Sequence, residues 1–144
     1  MVAALPAALV SLLIAIGDYT LANTARTAAS RFQQRFRNES GTVWFEGHWG
    51  FQYYMQQWGA KPLDLEQHGL VPEDVLIVPV NSTNVSRKPA ARTIASFEER
   101  NYAQFFAVTM SRKIGAGFYS SRWGSLPWEV AVVPPERYLI FRIK

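Results

Sequence analysis

A small mixed-sheet α/β domain behind an N-terminal apolar helix is the fold class this sequence predicts, and three observations predict it. Residues 2–17 (VAALPAALVSLLIAIG) carry no charge. Residues 43–59 (VWFEGHWGFQYYMQQWG) hold three of the five tryptophans, one of the two histidines and three glycines. They read as a strand, a tight glycine-bounded turn and an aromatic helix. Residues 75–80 (VLIVPV) form a continuous apolar run of strand length, which suits a strand covered on both faces, as in a parallel sheet.

Composition bounds the rest. A chain of 144 residues supports one domain, or one domain plus an appended element. Hydrophobic content of 49% and aromatic content of 14% exclude a disordered chain. The net charge of +4 suits an anionic partner such as a lipid headgroup, a phosphate or a nucleic acid. There is no cysteine, so disulfides, thiolate zinc sites and cysteine nucleophiles are excluded.

The elements follow in order. Sixteen helical residues span roughly 24 Å, somewhat short of the roughly 30 Å hydrocarbon core. Residues 1–17 therefore read as the end of a membrane helix. A signal peptide and a buried core helix are the competing readings, and the first lacks its usual N-terminal Lys or Arg. Pro6 is tolerated in a first helical turn or in a membrane helix. Residues 18–37 continue the helix, with Leu21, Ala25, Ala28, Phe32 and Phe36 spaced along one apolar face. Arg26, Arg31, Arg35 and Arg37 supply its basic charge, with no acid between Tyr19 and Asn38. That pattern suits a juxtamembrane amphipathic helix near lipid phosphates, and equally the solvated face of an ordinary surface helix. The turn residues NESG at 38–41 end it. The expected organisation is a membrane element at 1–17, an amphipathic helix and linker at 18–41, and a soluble α/β domain at 42–144.

Within that domain, strands are expected at 42–46 and 61–65, with a helix over 49–58 between them. Gly59 is a suitable helix stop. A strand follows at 75–80 and a polar loop at 81–90. Residues 92–98 and 105–110 read as strands, the second (FFAVTM) strongly so. Residues 114–128 (IGAGFYSSRWGSLPW) read as a long glycine- and aromatic-rich loop. Short strands are expected at 129–133 and 138–143.

Candidate chemistry is sparse. The turn Gly47-His48-Trp49-Gly50 opens a helix, where backbone amides hold anions. It lacks the full dinucleotide fingerprint, and its plainest reading is a tight turn with Trp49 packed in the core; the alternative is a ligand-binding turn formed by Glu46, His48 and Trp49. Glu46 and His48 are a candidate acid/base or ligand pair, with His68, Asp64 and Glu66 as further metal-ligand types. No ligand spacing such as H-E-x-x-H accompanies them, and no metal or other cofactor is expected. No G-x-S-x-G elbow or phosphate-binding loop is present. Tyr119, Arg122 and Trp123 in the aromatic loop are the second candidate group. Aromatic faces stack on sugar rings and gather at membrane interfaces, and Arg112, Lys113 and Arg122 add anion affinity. A nucleic-acid partner is not expected, since no binding motif is visible. Three N-x-[ST] sequons occur, at Asn38, Asn81 and Asn84.

The segments GHWGFQYYMQQWGAKPLD (47–64), DVLIVPVN (74–81), GAGFYSSRWGSLPW (115–128) and PPERYLIFRI (134–143) resemble the C-terminal region of bacterial membrane glycosyltransferases. These are the family 39, dolichyl-phosphate-mannose–protein-mannosyltransferase-like proteins. The resemblance implies that the apolar run is the end of a last membrane helix in the bacterial inner membrane. It also implies that the α/β part is an extracytoplasmic (periplasmic) tail domain. Its partners would be membrane lipid and a polyprenyl-phosphate-linked sugar or its acceptor. In that family the catalytic acid lies in an early loop between N-terminal membrane helices. No position here matches it, so no catalytic residue is expected and the chain alone is expected to be inactive. The positive-inside rule, applied to the arginines after Gly17, points to the opposite side of the membrane. Two other readings remain from the residues themselves: a membrane-anchored module binding a sugar or an anion through the aromatic loop, and a small soluble α/β enzyme.

Overall fold

The computed structural model describes residues 4–64, 69–80, 95–98, 107–133 and 136–143. One long helix, α1, runs from Ala4 to Phe36. It is followed by β1 (Val43–Phe45), α2 (Trp49–Gln57), β2 (Lys61–Pro62), β3 (Val75–Pro79), β4 (Ala95–Glu98), β5 (Met110–Ser111), β6 (Ala116–Gly117) and β7 (Arg137–Arg142). The chain divides into two compact units. One comprises Met1–Asn23 and Asn101–Pro134, and the other Thr24–Arg100 and Pro135–Lys144.

The second unit is the expected mixed-sheet α/β domain. Its five-stranded sheet has the order β2-β1-β3-β7-β4. β1 lies parallel to both β2 and β3, and β7 is antiparallel to β3 and β4. The β1-α2-β2 unit places α2 across the sheet, as parallel neighbours require. Alternation along the strands divides the core between two faces. Val43, Phe45, Val75, Ile77, Tyr138 and Ile140 face the helices. Trp44, Leu76, Val78 and Phe141 form a second cluster with Leu63, Leu70 and Leu139. Burial on both sides explains why β3 is uniformly apolar and buried along its length.

The helical layer comes from α2 and from the second half of α1. Phe51 and Met55, four residues apart, are the buried residues of α2. On α1 the equivalent stripe is Ala28, Ala29, Phe32 and Phe36, all at most 5% exposed. The Phe32 ring meets Phe51 edge-on at 6.3 Å and Tyr138 at 5.2 Å. The apolar face that the sequence offers to a lipid surface is therefore occupied by the sheet. The turn at 38–41 follows a helix already packed in that core.

Asp74 fixes the start of the sheet. It is 2% exposed. Its carboxylate accepts hydrogen bonds from the Thr42 amide (2.9 Å), the Trp44 indole Nε1–H (2.9 Å) and the Val71 amide (3.1 Å). The Asp74 amide returns a bond to the Val71 carbonyl, closing a turn with Pro72 at its second position. Glu73 occupies the third with φ of +75°, where a turn of this type favours glycine.

The first unit is smaller. The two-residue strands β5 and β6 pair antiparallel. Val108 and Glu129 form an antiparallel bridge, and Ala116 and Leu126 a parallel one. The strand expected at 105–110 is thus reduced, among the described residues, to the Val108 bridge and β5, which extends one residue further. The expected loop at 114–128 contains β6 and is crossed by bonds from the Gly117 amide to Leu126 and from the Leu126 amide to Gly115. Of the strand expected at 129–133, Glu129 alone is bridged among the described residues, and Val130 and Val132 stand exposed. The loop expected at 81–90, and His68 and Glu66 in the proposed metal set, lie outside the described residues.

Candidate functional site

The first 20 residues of α1 carry the feature most relevant to function. Leu5, Leu9, Leu12, Leu13 and Ile16 are between 42% and 69% exposed. Only 6% of the helix's apolar eighteen-residue window is buried, and the helix is long and apolar enough to cross a membrane. An exposed apolar surface of this kind marks a site of membrane or protein–protein interaction.

Where this apolar stretch ends, the 107–133 segment is fastened to it. Gly17 is buried, and a Cβ there would collide with the Ala107 carbonyl oxygen. That close approach accounts for a glycine inside a helix, where it otherwise costs about 1 kcal/mol. The next residue, Asp18, is the first charge after the run. Its carboxylate accepts hydrogen bonds from Thr109 Oγ1 (2.8 Å) and from the Tyr119 hydroxyl (2.6 Å). The hydrogen bond to Asp18 pushes the Tyr119 phenol above its ordinary value of 10, with burial and the carboxylate charge acting the same way.

Tyr119 meets Phe118 edge-on at 4.9 Å, and both rings are more than half exposed. Tyr19, Leu126, Val130 and Val132 add further exposed apolar surface in the same unit. Arg112, Lys113 and Arg122 are exposed, and Trp123 is half-buried in a turn closed by its amide on the Ser120 carbonyl. The Trp123 indole N–H has no acceptor among the described residues. Tyr119, Arg122 and Trp123 thus belong to one segment. Asp18 and Thr109 are the partners that sequence reasoning missed. The position of Asp18, directly after sixteen uncharged residues, was the available signal.

Glu46, His48 and Trp49 belong to the other unit, at the turn from β1 into α2. Glu46 is buried, and its amide donates to the Ile77 carbonyl at 3.0 Å, extending the parallel ladder by one residue. His48 is exposed at the N-cap of α2, and its side chain does not cap the helix. Trp49 was expected in the core and is instead 60% exposed, with φ of +57°. Gly47, also at positive φ, begins the reversal and Trp49 completes it. A bulky residue in that region is strained, so the turn is held by its surroundings rather than by local preference. Among the described residues no three His, Asp or Glu side chains gather as metal ligands.

The two candidate groups therefore offer different chemistry. The Asp18-anchored segment presents aromatic faces and guanidinium and ammonium groups, which suit lipid headgroups and sugars. The β1–α2 turn presents one buried carboxylate, one exposed imidazole and one exposed indole. No protein-family model matches the chain, and neither curated proteins nor solved structures give a match.

Proposed function

We propose that the chain is a membrane-anchored accessory domain: a membrane helix followed by the extracytoplasmic tail of a bacterial glycosyltransferase that uses a polyprenyl-phosphate-linked sugar. The observation that carries the membrane part is the exposed apolar half of α1, continuous with a second half locked in the α/β core. The 107–133 segment supports it. Thr109 and Tyr119 bond to Asp18, where the apolar stretch ends, and the segment that holds them has the aromatic and basic composition of an interfacial belt. The glycosyltransferase assignment rests on the sequence resemblance. The role is to hold donor or acceptor near the membrane, without catalysis by this chain alone.

Because the chain has no cysteine, one introduced thiol reports its side of the membrane. A Gln34→Cys chain, changed at an exposed position, is expected to react with a membrane-impermeant maleimide in intact spheroplasts. Labelling only after lysis contradicts the extracytoplasmic placement. Turnover of a polyprenyl-phosphate hexose by the purified chain contradicts the accessory role.

A further inference from the structure

A groove between the second half of α1 and α2 has the make-up of a ligand site. Arg26, Ser30 and Gln33 line one wall, at spacings of four and three residues along one stripe of α1. Tyr53 and Gln57, four apart on α2, line the other, with Trp58 at the helix end. Ala29, buried, and Tyr54 complete the lining. The groove measures about 420 Å³, inside the range of about 300–1,000 Å³ typical of small-molecule sites.

Among the described residues no acid lines it and one guanidinium does, so it favours an anion over a cation. The two glutamine amides and the Ser30 hydroxyl offer both donors and acceptors, as a polyhydroxylated ligand needs. The tyrosine and tryptophan rings offer faces for the C–H side of a sugar. The Trp58 indole N–H is buried and has no acceptor among the described residues. A buried indole N–H ordinarily finds a partner, and an unmatched one calls for an explanation.

We propose that this groove binds a hexose-type sugar carrying one anionic group, a phosphate monoester or a carboxylate, with Arg26 on the anion and Trp58 and the glutamines on the sugar. The inference extends the accessory-domain reading by naming the class of ligand that domain holds.

The test uses the full chain in nanodiscs of zwitterionic lipid, with binding followed by calorimetry. The probes are glucose 1-phosphate, glucuronic acid, glucose and inorganic phosphate. At least one anionic sugar is expected to bind saturably, with glucose and inorganic phosphate about tenfold weaker or more. Arg26→Ala is expected to weaken that binding about tenfold, the loss of a charge-assisted contact. Trp58→Phe, which keeps a ring and removes the donor, is expected to weaken it several-fold. Gln57→Ala, at an exposed position, gives the same reading should Trp58→Phe disturb packing. Absence of saturable binding by either anionic sugar overturns the proposal. So does inorganic phosphate binding equally well, or affinity unchanged in Arg26→Ala. Vesicle flotation is read separately: a chain that floats yet binds neither anionic sugar loses the groove proposal and keeps its membrane anchoring.

Discussion

The Tyr119 hydroxyl donates a 2.6 Å hydrogen bond to Asp18, 101 residues earlier in the chain and immediately after the apolar stretch of α1. Through it an exposed aromatic segment is held at the level where that stretch ends. The bond also leaves a titration signature. Tyr119 has a raised pKa, so its contribution is fully present below the ordinary phenol value of 10 and is lost as pH rises through the raised value. In phenolate absorbance titrations one tyrosine is expected to ionise later than an ordinary phenol. Asp18→Asn should move that step down toward 10, and Tyr119→Phe should remove it. An unchanged titration in Asp18→Asn contradicts the contact.

Asp74 is expected to be the most sensitive polar position of the α/β unit. Asp74→Ala leaves the Trp44 indole and two backbone amides without their acceptor. The cost is about 3 kcal/mol, read by chemical denaturation in detergent. Asp74→Asn keeps one acceptor oxygen and should lose less. Equal stability of Asp74→Ala and the parent chain contradicts this role.

Phe32 distinguishes a core helix from one lying on lipid. Buried at 1% exposure among Phe36, Phe51 and Tyr138, it should cost about 4 kcal/mol when truncated to alanine. Membrane association of Phe32→Ala should be unchanged. A variant with parental stability and weaker vesicle binding would place this face on lipid instead.

Glu39 and Arg142 form a two-point ion pair, at 2.5 and 2.7 Å, between the turn after α1 and β7. The hydrogen bond from Arg142 holds the Glu39 carboxyl below its ordinary value of 4.5, against the opposing effect of burial. Its stabilisation is therefore present above 4.5 and disappears as pH falls through the lowered value. The pair is partly exposed, so its worth is below about 1 kcal/mol. Glu39→Gln should flatten the acid limb of the stability profile slightly and leave neutral-pH stability within that margin. A larger loss in Glu39→Gln at neutral pH contradicts this account.

Elements whose local signals agree were legible in the sequence. β3 is continuous and apolar because it is central and covered on both faces. The Gly47 and Gly59 punctuation set the ends of the β1-turn-α2 unit. The long helix was legible through Gly17, because nothing else there breaks it. The weaker readings have physical causes. β5 and β6 are two residues long, and glycine at 117 carries no strand pattern. Trp49 looks like a core residue by type, but its positive φ turns it outward. Asp18 owes its role to partners 91 and 101 residues away, and two of the three partners of Asp74 lie 32 and 30 residues away, which no local window contains. The Arg26–Trp58 groove was hidden in the same way. Its two walls are ordinary polar stripes until the helices are packed side by side.

Flotation of the full chain with lipid vesicles, followed by alkaline carbonate extraction, tests the membrane anchoring most directly. The chain is expected to stay with the vesicles after extraction. Leu9→Lys together with Leu12→Lys, each placing a charge in the apolar stretch at a cost of about 2.5–3.5 kcal/mol, should release it while the α/β unit stays folded. A parent chain that remains monodisperse without detergent and sediments apart from the vesicles would contradict the account.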